Sequence, residues 1–212
     1  MIITDKNKIK QYFEEEKGED GFNSKIFDAN KWSYDLRLGD EVYLTSREHP
    51  IILSEQNPYL TIKPGEFALL ITHEKLRLTS EVMAFISIRF TYKRKGLINI
   101  SGFHVDPNYR GRIIFSVYNA GPNDIVLKYK EPVFMIFFAE LENPLEGGNK
   151  PRSSYDHIET SMISEIKGHS VSLVSSNQRI EQLESSMKLY GAIALAIITT
   201  LIGVLLTKGL GG

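Results

Sequence analysis

Between Trp32 and about Leu141 the chain is a succession of short apolar runs broken by turn residues: PIILS, YLTIK, FALLIT, VMAFISIRF, LINIS, RIIFSVYN, DIVLKY and VFMIFFAEL. Each run has the length of a strand, and the gaps between them are too short to hold crossover helices. That pattern argues against βαβ units and predicts a mainly β domain, a distorted barrel or jelly roll. Lys63-Pro64-Gly65-Glu66 fits a type II turn, with proline second and glycine supplying positive φ third. Upstream, Asp5 is placed to cap a short helix carrying Ile9, Tyr12 and Phe13 on one side.

Beyond Leu141 the composition changes. ENPLEGGNKPRSS reads as a linker. After it Ile166, Leu173, Ile180 and Met187 share one heptad position, and Met162, His169, Ser176, Leu183 and Tyr190 share another. The repeat is irregular, so a loose coiled coil and an ordinary amphipathic stalk both fit it. Leu189 to Thr207 is an uncharged run flanked by Lys188 and Lys208. As a helix it reaches about 28 Å, close to the hydrocarbon thickness of a bilayer. A buried core helix is the competing reading, but such helices seldom lack polar residues on every face. The expected organisation is a β domain over 1–145, a linker and helical stalk over 146–188, and one transmembrane helix over 189–207. Small residues at Ala192, Ala196, Thr199 and Gly203 fall on one face, where helices can approach closely. The N-terminus has no apolar core of a signal peptide, so a C-terminal anchor with its head in the cytoplasm is expected.

Composition excludes several chemistries. The chain has no cysteine, which removes disulfides, thiolate zinc sites and the zinc-dependent nucleobase deaminases. Its five histidines are scattered without ligand spacing, so no metal or cofactor held by protein ligands is expected. A net charge of −1 offers no general field for nucleic acid, and any anion site must be local. Arg89, Lys93, Arg94 and Lys95 form one local cationic cluster. It suits phosphate oxygens, and it equally suits a solvated loop or salt bridges between subunits.

Four stretches together resemble the dCTP deaminase and dUTPase superfamily. They are Ser33-Tyr34-Asp35-Leu36-Arg37-Leu38-Gly39, Lys63-Pro64-Gly65-Glu66, Arg89-Phe90-Thr91-Tyr92-Lys93-Arg94-Lys95-Gly96-Leu97, and Val105-Asp106-Pro107-Asn108-Tyr109-Arg110-Gly111 followed by Tyr118-Asn119. The resemblance covers roughly residues 1 to 142. It implies a homotrimer with nucleotide pockets between subunits, and Mg2+ arriving on the bound triphosphate. It implies nucleotide or phosphate binding by Arg89, Thr91, Arg94, Asp106, Tyr109, Arg110 and Asn119. Asp106 would contact the sugar and orient the attacking water, and Tyr109 would pack under the deoxyribose. Asp106-Pro107-Asn108-Tyr109 is also an ordinary turn sequence.

The departures matter as much. Where dCTP deaminases carry a proton-shuttling glutamate, this chain has Ser116. A hydroxyl is no general base near neutrality without an activating neighbour. Phe90 replaces a hydroxyl residue of the phosphate loop, a strand glutamine is absent at VFMIFF, and the stalk stands where a C-terminal lid would be. The expected function is therefore a membrane-anchored nucleotide-binding protein without deaminase activity, acting as a nucleotide sensor or membrane effector. Defence against phage would suit such a sensor. The alternatives are an active dCTP deaminase or dUTP diphosphatase, for which Asp106 would be catalytic, and a structural trimeric membrane protein.

Overall fold

The computed structural model describes residues 1–14, 21–28, 32–146, 154–166 and 173–209. Two compact units divide the chain, Met1–Ser170 and Val171–Gly212.

The first unit opens with α1 (Lys6–Lys10). Its cap is Asp5, whose Oδ1 accepts the amides of Asn7 at 2.7 Å and Lys8 at 3.0 Å. Ile9, Tyr12 and Phe13 are buried as the pattern predicts. The strands follow as β1 (Phe27–Asp28), β2 (Ser33–Tyr34), β3 (Leu38–Leu44), β4 (Ile51–Ile52), β5 (Tyr59–Ile62), β6 (Phe67–Arg77) and β7 (Val82–Ile88). One helical turn, α2 (Phe90–Lys93), then precedes β8 (Leu97–Asn99), β9 (His104–Val105), β10 (Arg110–Asn119), β11 (Ile125–Lys128) and β12 (Phe134–Glu140).

Two five-stranded antiparallel sheets result, ordered β1-β2-β12-β7-β9 and β4-β3-β6-β10-β8, with β5 and β11 as a separate pair. The domain is mainly β as expected. Among the described residues, however, these ladders stay open sheets and do not close into a barrel. Alternation explains the layering. Along β10, the odd-numbered residues from Gly111 to Asn119 are buried and the even-numbered ones lie toward the surface. The two inner faces meet at Phe115 on β10 and Phe134 on β12, stacked with centroids 3.9 Å apart.

The Ser33–Gly39 motif is a structural lock. Arg37 Nε sits 2.7 Å from Glu74 Oε1, the Arg37 amide donates to Glu74 Oε2 at 2.8 Å, and the Tyr34 hydroxyl donates to Oε1 at 3.1 Å. Glu74 is fully buried, which explains why β6 runs on past FALLIT through charged residues. Gly39 leaves no space for a side chain, because a Cβ there would lie 2.7 Å from the Thr72 carbonyl oxygen. At the predicted turn, Gly65 has φ +75° and the Glu66 amide donates to the Lys63 carbonyl at 3.0 Å.

Residues 154–166 continue the same unit. They include α3 (Thr160–Ile166), and Ile158 and Ile163 are buried against Tyr43, Leu69 and Ile71 on the outer face of the second sheet. The second unit contains α4 (Leu173–Gly209), one continuous helix. Ile180 and Met187 of the heptad row are exposed on it. Among the described residues no helix is long and apolar enough to cross a membrane, so the expected anchor finds no support there. Part of the run, Leu201 and 204–207, falls outside the described side chains, as do Ser176 and His169 of the repeat.

Candidate functional site

Asp106 and Tyr109 belong to one tight turn. The Tyr109 amide donates to the Asp106 carbonyl at 3.2 Å, and Asn108 takes φ +64° at the third position. Pro107 presets the second position, and asparagine tolerates the left-handed conformation at the third. The turn is pinned from outside by Asn108 N–H to Thr79 O at 3.1 Å and Leu78 N–H to Tyr109 O at 2.8 Å. A ligand meeting this turn therefore meets preset groups.

The turn forms one wall of a cavity of about 230 Å³, lined also by Ser101, His104, Ile113 and Tyr155. Asp106 is open to solvent. Tyr109 is half-buried and donates its hydroxyl to the Arg112 carbonyl. Burial first, then the neighbouring Tyr155 and Asp156, push the Tyr109 phenol well above its ordinary range, so it stays a neutral donor. His104 Nε2 lies 3.4 Å from Asp106 Oδ1, and the His104 ring meets Phe103 edge-on at 5.1 Å. The cavity thus sets a carboxylate, an imidazole and hydroxyl groups against isoleucine walls, polar groups that can orient a ligand beside an apolar surface.

Other sequence-predicted residues lie elsewhere. None of Arg89, Thr91, Arg94, Arg110, Ser116 or Asn119 lines this cavity. Arg89 is tied to Asp35 at 3.0 Å and donates to the Pro132 carbonyl at 3.0 Å. Thr91 and Arg94 are exposed on and just after α2. Arg110 pairs with Glu14 and lines a separate cavity with Tyr12, Arg77 and Asn108. Asn119 is fully buried, and its amide is spent on backbone. Its Nδ2 donates to Ile62 O and Asn123 O, both at 2.9 Å, and its Oδ1 accepts the Gly121 amide at 2.9 Å.

Ser116 stands half-buried in β10, opposite Leu69. Its amide meets the Ser101 hydroxyl at 3.3 Å, which places it behind a residue of the cavity wall.

Three polar lining residues, His104, Ser101 and Tyr155, are not among those the sequence motifs predict. His104 was within reach of sequence reasoning, since residues two apart on a strand share a face and His104 precedes Asp106 by two. Ser101 carries no such signal. Tyr155 comes from beyond the β domain and is placed by tertiary contacts alone. The Arg112 amide donates to its carbonyl at 2.7 Å, and Gly111, at φ +127°, leaves the approach open, since a Cβ there would lie 2.8 Å from Tyr155 N.

The family described as DCD, dCTP deaminase-like, matches residues 3–141. The dCTP deaminase of Pyrococcus abyssi is 34% identical over 122 residues, covering 58% of this chain and 75% of the relative. That of Thermococcus kodakarensis is also 34% identical over 122 residues, with 58% and 75% covered. Among solved structures, dCTP deaminase from Agrobacterium tumefaciens is similar with a TM-score of 0.45 at 16% identity, over 55% of this chain and 41% of that one. The EIAV dUTPase is similar with a TM-score of 0.38 at 12% identity, over 60% and 97%. With its family motifs in order along a mainly β domain, and a family match over most of that domain, this chain belongs to the dCTP deaminase-like family.

Proposed function

We propose that this chain binds a deoxynucleoside triphosphate at the Asp106–Tyr109 cavity and hydrolyses it, as an enzyme of nucleotide metabolism that does not deaminate. One observation carries the reading: Asp106 and Tyr109 share a cavity with water access, while position 116 offers only a hydroxyl. A carboxylate can orient or activate water against phosphorus, whereas attack on a cytosine ring needs a proton shuttle that serine does not supply. Mg2+ would enter on the triphosphate, bound by its phosphates rather than by a protein cage.

The cationic loop supports an assembled site. Arg94 and Thr91 are exposed and outside the cavity of their own chain, so a second copy is the natural source of phosphate contacts. Exposed apolar groups support the same view: Phe90, Ile98, Ile100 and Phe103 are all exposed, and Phe85 stacks between Phe103 and Phe137. A homotrimer is the assembly we propose, and sedimentation of the full chain tests it. From the sequence alone we also propose that the uncharged run 189–207 anchors the chain in a membrane, with the head in the cytoplasm. Resistance of the full chain to alkaline extraction from membranes tests that.

The decisive assay incubates the protein with Mg2+ and dCTP or dUTP and separates the products. Release of the monophosphate without conversion of cytosine to uracil is expected. Conversion of dCTP to dUTP at on the order of 1 s⁻¹ would refute the reading. Binding without turnover is the second reading, that of a nucleotide sensor, and the apolar Phe90 in the phosphate loop favours it.

A further inference from the structure

Hydrolysis of the bound triphosphate needs a group that accepts the proton of the attacking water. Asp106 and His104 are the ionisable groups of the cavity that could do so near neutral pH, the others being the phenols of Tyr109 and Tyr155. His104 opens β9, where it lies opposite Phe85, and Asp106 follows just past the strand end. The two side chains fall on one face, with Nε2 3.4 Å from Oδ1. The imidazole side chain is 43% exposed and that of Asp106 59%, so water reaches both. Phe103 meets the ring edge-on and restricts its orientation.

We propose that His104 is the general base of the hydrolytic reaction, with Asp106 as its positioning partner. This rests on the nucleotide-hydrolysing reading of the same cavity. An Asp106 carboxylate facing Nε2 favours the tautomer with hydrogen there and leaves Nδ1 as the basic nitrogen. In the step itself a water oxygen bonds to the α-phosphorus of the bound triphosphate. The bridging P–O bond between the α- and β-phosphorus breaks, and its electron pair departs with the diphosphate, leaving the monophosphate. The water proton passes to the imidazole and from there to solvent, so no oxidant or reductant is required. Histidine suits this role because its ordinary titration range brackets neutral pH.

The full chain is tested as wild type, His104→Gln and His104→Ala, with dUTP and dCTP in Mg2+, measuring nucleotide affinity by calorimetry and product release by chromatography. His104 lies on the surface of an edge strand, so both variants are expected to fold. His104→Gln should lower kcat by about 10²–10⁴-fold while affinity changes by less than about threefold. His104→Ala should regain part of its turnover when imidazole is added, a rescue that a merely structural role would not show. The fall of kcat toward acid pH should be absent from the residual activity of both variants. Undiminished turnover in His104→Gln overturns the assignment and leaves the hydrolytic reading intact. Nucleotide binding by the wild type without turnover overturns both while leaving the binding reading. Absence of any nucleotide binding removes all three.

Discussion

Replacing Arg37 with methionine should strand a buried carboxylate. Glu74 is fully buried, and it accepts from Arg37 Nε at 2.7 Å, the Arg37 amide at 2.8 Å and the Tyr34 hydroxyl at 3.1 Å. Methionine fills a similar volume and leaves the two remaining donors, but it removes the only charge compensating Glu74 in that triad. Removing one partner of a buried pair costs about 3–5 kcal/mol. For a domain of this size that is a fall in Tm of about 6–20 °C. The double variant Arg37→Met/Glu74→Gln removes both charges, so it should recover at least half of the loss. The pH dependence is a second check. Burial pushes the Glu74 carboxyl up from its ordinary 4.5, and Arg37 opposes that rise. A carboxyl raised on folding contributes stability that is fully present below its unfolded value and is lost as pH rises through its folded value. Without Arg37 the folded value climbs further, so the variant's deficit should be small near pH 4.5 and grow toward pH 8. Calorimetric unfolding of the full chain at several pH values measures this. A loss below about 1 kcal/mol, or a double variant no more stable than the single one, would refute the reasoning.

Three further outcomes are expected. Gly96→Ala, at φ +99° with its would-be Cβ driven into the Gly121 backbone, should cost more than about 2 kcal/mol, read by urea denaturation. Asn119→Ala should cost about 2–4 kcal/mol by leaving the Ile62, Asn123 and Gly121 backbone groups without their partner, so any lost nucleotide binding should track lost stability. Gly111→Ala should loosen residues 154–158 from the sheet, seen as faster hydrogen exchange at the Arg112 amide, which donates to Tyr155 in the wild type.

The sequence alone determined what depends on neighbours a few residues apart. The Asp5 cap, the Lys63–Glu66 turn, the β10 strand and the Asp106–Tyr109 turn are all local, and each stands where its residues predict. The family was legible for the same reason, because its motifs are short and keep their order. Tertiary structure decided the rest. Among the described residues the sheets stay open rather than closing, since closure depends on pairing between the outer strands of different sheets. β6 outran its apolar pattern because Glu74 found Arg37, a partner distant in sequence. The family resemblance implies Asn119 and Arg89 as ligand contacts; the Asn119 amide bonds the nearby Gly121 and Asn123 backbone and the distant Ile62 carbonyl, and Arg89 bonds Asp35 and the Pro132 carbonyl, both far away in the chain. Ser101, His104 and Tyr155 reach the cavity through strand register and through a segment beyond the β domain. A side chain's type sets the chemistry it can perform, but its surroundings are supplied by strands far away in the chain, and burial and charge pairing there decide whether that chemistry is available.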